Sequence, residues 1–215
     1  MLLLAFDTAT PAVTVALHDG ARVVAERTVV DARRHGELLA PGIERVLSGA
    51  GCSASDLTQI AVGVGPGPFT GLRVGLVTAR AFGDALGIGV VGVCTLDVLA
   101  AAVVRDSGPA QPFLVATDAR RKEVYWATYE ATGQRLAGPH VGPAAAIGWG
   151  GPAVGAGALL YPAGFETVGP PQHPAARDLA ELVAAGRAAP LPAEPLYLRR
   201  PDAVEPGARK AVTPV

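Results

Sequence analysis

Leu2-Leu3-Leu4-Ala5-Phe6-Asp7-Thr8-Ala9-Thr10-Pro11 opens the chain, and Phe113-Leu114-Val115-Ala116-Thr117-Asp118-Ala119-Arg120-Arg121-Lys122 repeats its plan a hundred residues later. Each stretch is a short apolar run of strand type that stops at an aspartate and is followed by a turn. A second strand pattern follows each turn, at 12–18 (Ala-Val-Thr-Val-Ala-Leu-His) and at 123–130. A strand, an acidic end, a turn and a strand thus occur twice. The pattern predicts a duplicated unit whose halves meet near 105–112, at Ser-Gly-Pro-Ala-Gln-Pro, giving a first half 1–108 and a second half 109–215.

Outward from the first stretch, Asp19-Gly20 is a hairpin signal, and 22–31 alternates in the manner of a strand with one face in water. The first three strands read as an antiparallel meander. The period then changes. From His35 to Ala50, Leu38, Leu39, Gly42, Ile43, Val46 and Leu47 share one helical side, opposite Glu37, Glu44 and Ser48. Pro41 should kink that helix or mark a later start. Further on come a buried-type strand at 59–65, a Gly/Pro loop at 65–71, a helix at 72–86, a strand at 90–93 and a helix at 96–104. The order β-β-β-α-β-α-β-α predicts a hairpin sheet extended by parallel strands through crossover helices. Residues 131–175 are dense in Gly and Pro and read only coarsely. A short helix is expected at 177–187, a short strand at 195–198 and a loose tail from Arg200.

The chain has 215 residues, 50% hydrophobic and 17% charged, with 27 Gly and 19 Pro. Its mean hydropathy is +0.33. That composition fills a core and needs frequent turns. Eighteen basic against 19 acidic residues leave a net charge of −1. Such a balance argues against gripping nucleic acid through a basic face of its own, but not against meeting RNA inside a complex. Two distant cysteines, Cys52 and Cys94, do not make a disulfide framework. The amino terminus has no basic region ahead of its apolar run, so it does not read as a secretory signal. Leu86 to Val104 is apolar but broken by glycines and by a helix start at Thr95 and Asp97, so it reads as strand plus helix. The setting expected is soluble and cytoplasmic.

Candidate catalytic groups are few. His18, His35, His140 and His173 show no spacing of three or four that would set metal ligands on one helix face. There is no Gly-x-Ser-x-Gly elbow, and Cys94 ends an apolar strand as a core residue would. The loop Gly63-Val-Gly65-Pro-Gly67-Pro-Phe-Thr70-Gly71 supports two readings. One is an anion held on backbone N–H groups at a helix start; the other is a shaped structural loop with Thr70 as N-cap. Asp7 and Asp118 also support two. Acidic strand ends facing a cleft between related halves hold metal-bound phosphates in one large phosphotransferase architecture, but neither aspartate is followed by the glycine that such a site uses. Capping of turns is the plainer alternative. In the helix 72–86, Gly71, Gly75, Ala79 and Gly83 recur every fourth residue, and only Arg73, Arg80 and Asp84 form a polar strip. Something covers the rest, either another subunit or the helix 35–50 of the same chain.

Gly65-Pro-Gly-Pro-Phe-Thr-Gly-Leu-Arg-Val-Gly, with Phe6-Asp7-Thr8, His35-Gly-Glu37-Leu-Leu-Ala-Pro41, Asp118-Ala-Arg-Arg-Lys-Glu-Val-Tyr-Trp and Pro195-Leu-Tyr-Leu-Arg199, resembles the TsaB family, most specifically over 1–130. The resemblance implies two related α/β halves of the actin, sugar-kinase and heat-shock ATPase type, the first (1–108) Gcp-like and carrying the dimerisation helices. It implies a non-catalytic subunit of the machinery that makes threonylcarbamoyladenosine in tRNA, paired with a catalytic TsaD-like subunit and served by a TsaE-like ATPase. It further implies a homodimer when alone, tRNA met through the complex, no metal, no cofactor of its own, and ATP or ADP only within the assembly. On that reading the partner interface comprises Leu38, Leu39, Ile43, Leu72, Gly75, Leu76, Ala79, Phe82 and Gly83 on the two N-terminal helices. Asp7, Thr8, Gly65, Gly67, Thr70 and Asp118 would line a vestigial nucleotide cleft. The rivals are an active nucleotide-dependent kinase of the same fold and, with no nucleophile in its favour, a peptidase.

Overall fold

The computed structural model describes residues 1–199. Strand β1 (Leu3–Asp7) is buried at every position. Beside it run β2 (Ala12–His18) and β3 (Val23–Val30). β1 pairs antiparallel with β2, Asp7 opposite Thr14, and β2 pairs antiparallel with β3. β3 alternates half-buried and exposed residues along its length, as an edge strand with one wet face should. Helix α1 (His35–Gly49) leads to β4 (Gln59–Gly63), helix α2 (Phe69–Leu86) to β5 (Gly89–Val93), and α3 (Thr95–Ser107) to the second half. β4 lies parallel to β1, and β5 parallel to β4, so the first sheet has the order β3-β2-β1-β4-β5.

The second half repeats the plan. β6 (Phe113–Asp118) and β7 (Glu123–Tyr129) form the hairpin, and β8 (Arg135–Pro143) adds antiparallel to β7. After β9 (Trp149–Val154), a short helix α4 (Ala156–Leu160) and β10 (Phe165–Gly169), the order is β10-β9-β6-β7-β8. β1 and β6 therefore hold the same central place in two five-stranded sheets, and Asp7 and Asp118 end them. This is a mixed α/β architecture in two parts of the same strand order, as the repeated stretches predict.

The cores do not divide where the chain does. α1 and α2 cover one face of the first sheet, packing Leu39, Ile43, Leu72 and Leu76 against Leu4, Phe6 and Val62. Its other face is covered by α5 (Ala176–Ala184), which comes from the far end of the chain and sets Leu179 and Ala180 against Leu3, Ala5 and Val98 of α3. With helices on both faces, β1 and β4 can be continuous apolar runs. α3 also turns Leu96, Leu99 and Val103 toward Phe113, Val115 and Tyr129 of the second sheet. The segment after α5 returns across both halves. Leu191 bridges to Gly92, the Leu196 N–H donates to the Val64 carbonyl (2.9 Å), and Arg199 reaches the Ala119 carbonyl (3.1 Å) and Glu123.

Three local expectations change. Residues 195–198 are not a strand; their one backbone bond to the first sheet runs from Leu196 N–H to Val64, just past β4. α2 begins at Phe69, with Pro68 at its cap and no side-chain cap, so Thr70 is not the N-cap. Proline's fixed φ suits that place, and the Pro68 carbonyl accepts from Leu72 N–H at 3.1 Å. α1 runs from His35 through Pro41 rather than starting after it. Both Pro41 and Glu37, whose carbonyl the proline leaves unpaired, are exposed, so water can meet that carbonyl. The tail expected to be loose lies outside the described residues. Among the described residues no helix is long and apolar enough to cross a membrane.

Candidate functional site

Asp7 turns inward. It is fully buried; its Oδ1 accepts from Ala9 N–H (2.7 Å) and its Oδ2 from the Thr95 hydroxyl (2.7 Å). Thr95 in turn accepts from Gly65 N–H and donates its own N–H to the Gly65 carbonyl (2.8 Å). Asp7 thus ties the end of β1 to the start of α3 and to the glycine loop. Burial pushes its carboxyl up to about 6, although both hydrogen bonds and the nearby His35 pull the other way. Gly63 is required beside it, since a Cβ there would overlap the carboxylate.

The loop 65–71 packs down on the β1–β2 turn. A Cβ at Gly67 would overlap the Ala9 carbonyl oxygen, and one at Gly71 would stand 2.6 Å from the Thr8 carbonyl oxygen and 3.1 Å from His35 Nε2. The Thr8 hydroxyl donates to the Gly71 carbonyl (2.8 Å) and accepts from Gly75 N–H (3.0 Å). His35 Nε2 donates to the Thr10 carbonyl (2.8 Å), which fixes that nitrogen as the protonated one. The starts of α1 and α2 are thereby drawn together at the end of β1.

They form one wall of a cleft of about 710 Å³ between the halves. Arg33, His35, Gly36, Phe69, Thr70 and Val74 line it from the first half; Thr117, Asp118, Arg120, Leu159, Leu160 and His173 line it from the second. Of the six residues expected there, Thr8, Thr70 and Asp118 do line it. Asp7, Gly65 and Gly67 do not, because they are used up in the packing behind the wall. Asp118 sits at the rim, where its Oδ1 accepts from Arg120 N–H (2.8 Å) and its Oδ2 lies 3.5 Å from the Arg120 guanidinium. Both aspartates cap their turns. Leu159, Leu160 and His173 come from the Gly/Pro-rich stretch, which carried no period to flag them. Among the described residues no group of three or more His, Cys, Asp or Glu could hold a metal.

The residues expected at a partner interface need correction. Leu39, Ile43, Leu72, Leu76 and Ala79 are at most 3% exposed, and Gly75 and Gly83 are buried with them. They face the chain's own sheet, Gly75 against Thr8 and Gly83 against Val90. Only Leu38 and Phe82 reach the surface in part. The small residues of α2 are small because a sheet lies on them. What α2 shows to water is Val77 (65% exposed), Ala81, Arg80 and, at its start, Phe69. Phe69 stacks on Tyr197, centroids 5.6 Å apart, with the Arg73 guanidinium 3.6 Å from its ring centre. On the neighbouring α1, Ala40, Pro41 and Glu44 are exposed.

A family model described as TsaD, tRNA N6-adenosine threonylcarbamoyltransferase, matches residues 23–177. An uncharacterized protein of Mycobacterium tuberculosis is 48% identical over 206 residues, 94% of this chain and 93% of that protein. The tRNA threonylcarbamoyladenosine biosynthesis protein TsaB of Escherichia coli is 38% identical over 130 residues, which span 60% of this chain and 55% of that protein. Among solved structures, YeaZ from Pseudomonas aeruginosa is 31% identical with a TM-score of 0.78, covering 92% of this chain and 99% of that one.

Proposed function

The chain belongs to the TsaB family, and on that basis we propose that it serves, in the cytoplasm, the synthesis of threonylcarbamoyladenosine in tRNA as a subunit without catalysis of its own. It pairs with a TsaD-like catalytic subunit, works alongside a TsaE-like ATPase, meets tRNA only through that complex, and pairs with itself when alone. Its cofactor requirement is nil, and any ATP or ADP belongs to the assembly. The likeness to E. coli TsaB supports the pathway. The position of Asp7 carries the non-catalytic reading: the carboxylate at the end of β1 is spent on Ala9 and Thr95 and is absent from the cleft lining.

The pairing surface in this proposal is the outer side of the two N-terminal helices, not the faces expected from the sequence. Val77, Ala81 and part of Phe82 on α2, and Ala40 and Pro41 on α1, are apolar residues open to water, and Glu44 and Arg80 are exposed on the same helices. Exposed apolar residues beside polar ones suit subunit contact. Reconstitution tests the proposal. The chain, a TsaD-like partner and a TsaE-like ATPase are combined with unmodified tRNA, then each is left out in turn. Modification should need this chain and should not arise from it alone. Modified tRNA from this chain by itself, or full modification without it, would overturn the proposal. ATP turnover by the isolated protein would favour the kinase reading instead.

A further inference from the structure

The β6–β7 turn holds three successive residues in a backbone conformation that their side chains disfavour. Arg120, Arg121 and Lys122 have φ of 65°, 54° and 63°, and among the described residues no others besides glycine have positive φ. Glu123 N–H donates to the Arg120 carbonyl (3.0 Å), so Arg121 and Lys122 are the two central residues of a tight hairpin turn. Positive φ at both central positions is a demand that Asn-Gly meets most readily, because glycine has no Cβ to crowd the following carbonyl. The β2–β3 and β7–β8 turns place glycine, Gly20 and Gly133, where φ is positive. Here three long cations stand instead, all exposed. The turn is braced to stay as it is. Asp118 Oδ1 accepts from Arg120 N–H (2.8 Å), and Arg199, from far along the chain, reaches the Ala119 carbonyl (3.1 Å) and pairs with Glu123. A strained conformation kept by its surroundings points to a use for what it presents. What it presents is charge. Arg120, Arg121, Lys122 and Arg199 stand against two carboxylates, Asp118 and Glu123, each already paired with one of them. The patch is therefore positive on a chain whose net charge is −1.

We infer that this turn contacts the phosphate backbone of tRNA when the chain is in its complex. The inference rests on the proposed role in tRNA modification and names a contact within it. Phosphate suits the turn because guanidinium and ammonium groups meet its oxygens with charge-assisted bonds, and such contacts orient an RNA without reading its sequence. A protein surface suits it less, since the three exposed residues offer no apolar or aromatic side chain and protein interfaces are poor in lysine. One turn makes few contacts, so it adds to a grip supplied by the assembly; the chain's overall charge does not favour RNA binding on its own.

Arg121→Gly combined with Lys122→Gly tests it in the reconstituted complex. Glycine is at ease at both positions, so the isolated variant should melt no earlier than the parent. In the complex the KM for unmodified tRNA should rise at least about fivefold with kcat within about twofold, and the slope of log affinity against log salt, read by filter binding, should flatten by about 1 to 2. Arg121→Lys keeps a point charge for phosphate and should stay within about twofold of the parent. Arg22→Gln with Arg187→Gln removes two exposed cations elsewhere and should leave the KM unchanged. An unchanged KM and salt slope in the glycine variant would overturn the inference. So would an equal rise in the Arg22→Gln, Arg187→Gln variant, which would make the effect one of net charge alone. Weaker association of the glycine variant with the TsaD-like subunit, measured by sedimentation without tRNA, would overturn it too, by assigning the turn to a protein surface. An earlier melt would overturn the strain on which it stands. Failure of the unaltered complex to modify tRNA would instead refute the proposed function, a result separable from all of these.

Discussion

Asp7→Asn isolates the cost of burying a carboxylate at the end of β1. The free acid titrates at 3.8 and the buried one at about 6. An acid raised in this way keeps its proton longer in the folded state. The stability it contributes is fully present below pH 3.8 and is lost as the pH climbs through about 6. The whole loss is about 3 kcal/mol, and roughly 2 kcal/mol of it falls between pH 4 and pH 7. Asparagine is nearly isosteric and does not titrate. Its oxygen can still accept from Ala9 N–H, but the Thr95 hydroxyl, which now donates to Oδ2 at 2.7 Å, loses its acceptor. Leaving that buried donor unmet costs about 1–3 kcal/mol. At pH 7 the relief offsets that cost, so the variant should be as stable as the parent or up to about 2 kcal/mol more so. At pH 4 the relief shrinks to less than about 1 kcal/mol and the variant should be the less stable. Asp178 is also raised to about 6 by burial, but it is present in both proteins and shares no partner with Asp7, so it cancels from the difference. Urea unfolding of both proteins at pH 4, 5, 6 and 7 reads the effect. With m near 2 kcal/mol/M, the two midpoints should shift relative to one another by about 1 M across the series. A difference that stays level across the four pH values would show that Asp7 is not the buried, proton-retaining group described.

Gly75→Leu should lower the stability of the dilute monomer by about 1–3 kcal/mol through overpacking against Thr8, read by thermal melting; an unchanged melt would return the small-residue stripe to a partner. Val77→Glu should leave that melt within about 0.5 kcal/mol while weakening association with the TsaD-like subunit at least tenfold, about 1.4 kcal/mol, as followed by sedimentation. Cys94, buried and with its thiol pushed up to about 12 mainly by burial and next by Asp97, should resist iodoacetamide at pH 8 in the folded protein while the half-buried Cys52 reacts. Mass spectrometry of the alkylated chain distinguishes them.

The repeated strand, aspartate and turn were legible from residue order because strand type and turn chemistry are local. Leu3 to Phe6 and Phe113 to Thr117 are apolar runs short enough only for strands, and each aspartate bonds a backbone N–H two residues on. The meander, α1, α3 and α5 followed from period and breaker residues in the same way. The start of α2 was misplaced by one turn because the serviceable cap was Pro68, and a proline's φ can open a helix or end a loop.

Which side of each element meets which neighbour was set by long-range contacts. The row Gly71, Gly75, Ala79 and Gly83 says that something approaches α2 closely, but a sheet and a second subunit demand the same small residues. Its burial against Thr8 and Val90 is settled by where β1 and β5 lie. Asp7 could face a cleft or a core from its sequence, and it faces the core because Thr95, eighty-eight residues away, supplies a hydroxyl there. The cleft wall of Leu159, Leu160 and His173 had no sequence signal at all, since its irregular backbone has no period and its place depends on α4 packing on β6. The elements and their duplication could be read from residue order, because they depend on neighbours a few residues apart. The structure decided faces and contacts, which depend on residues that the chain brings together only when both sheets are formed.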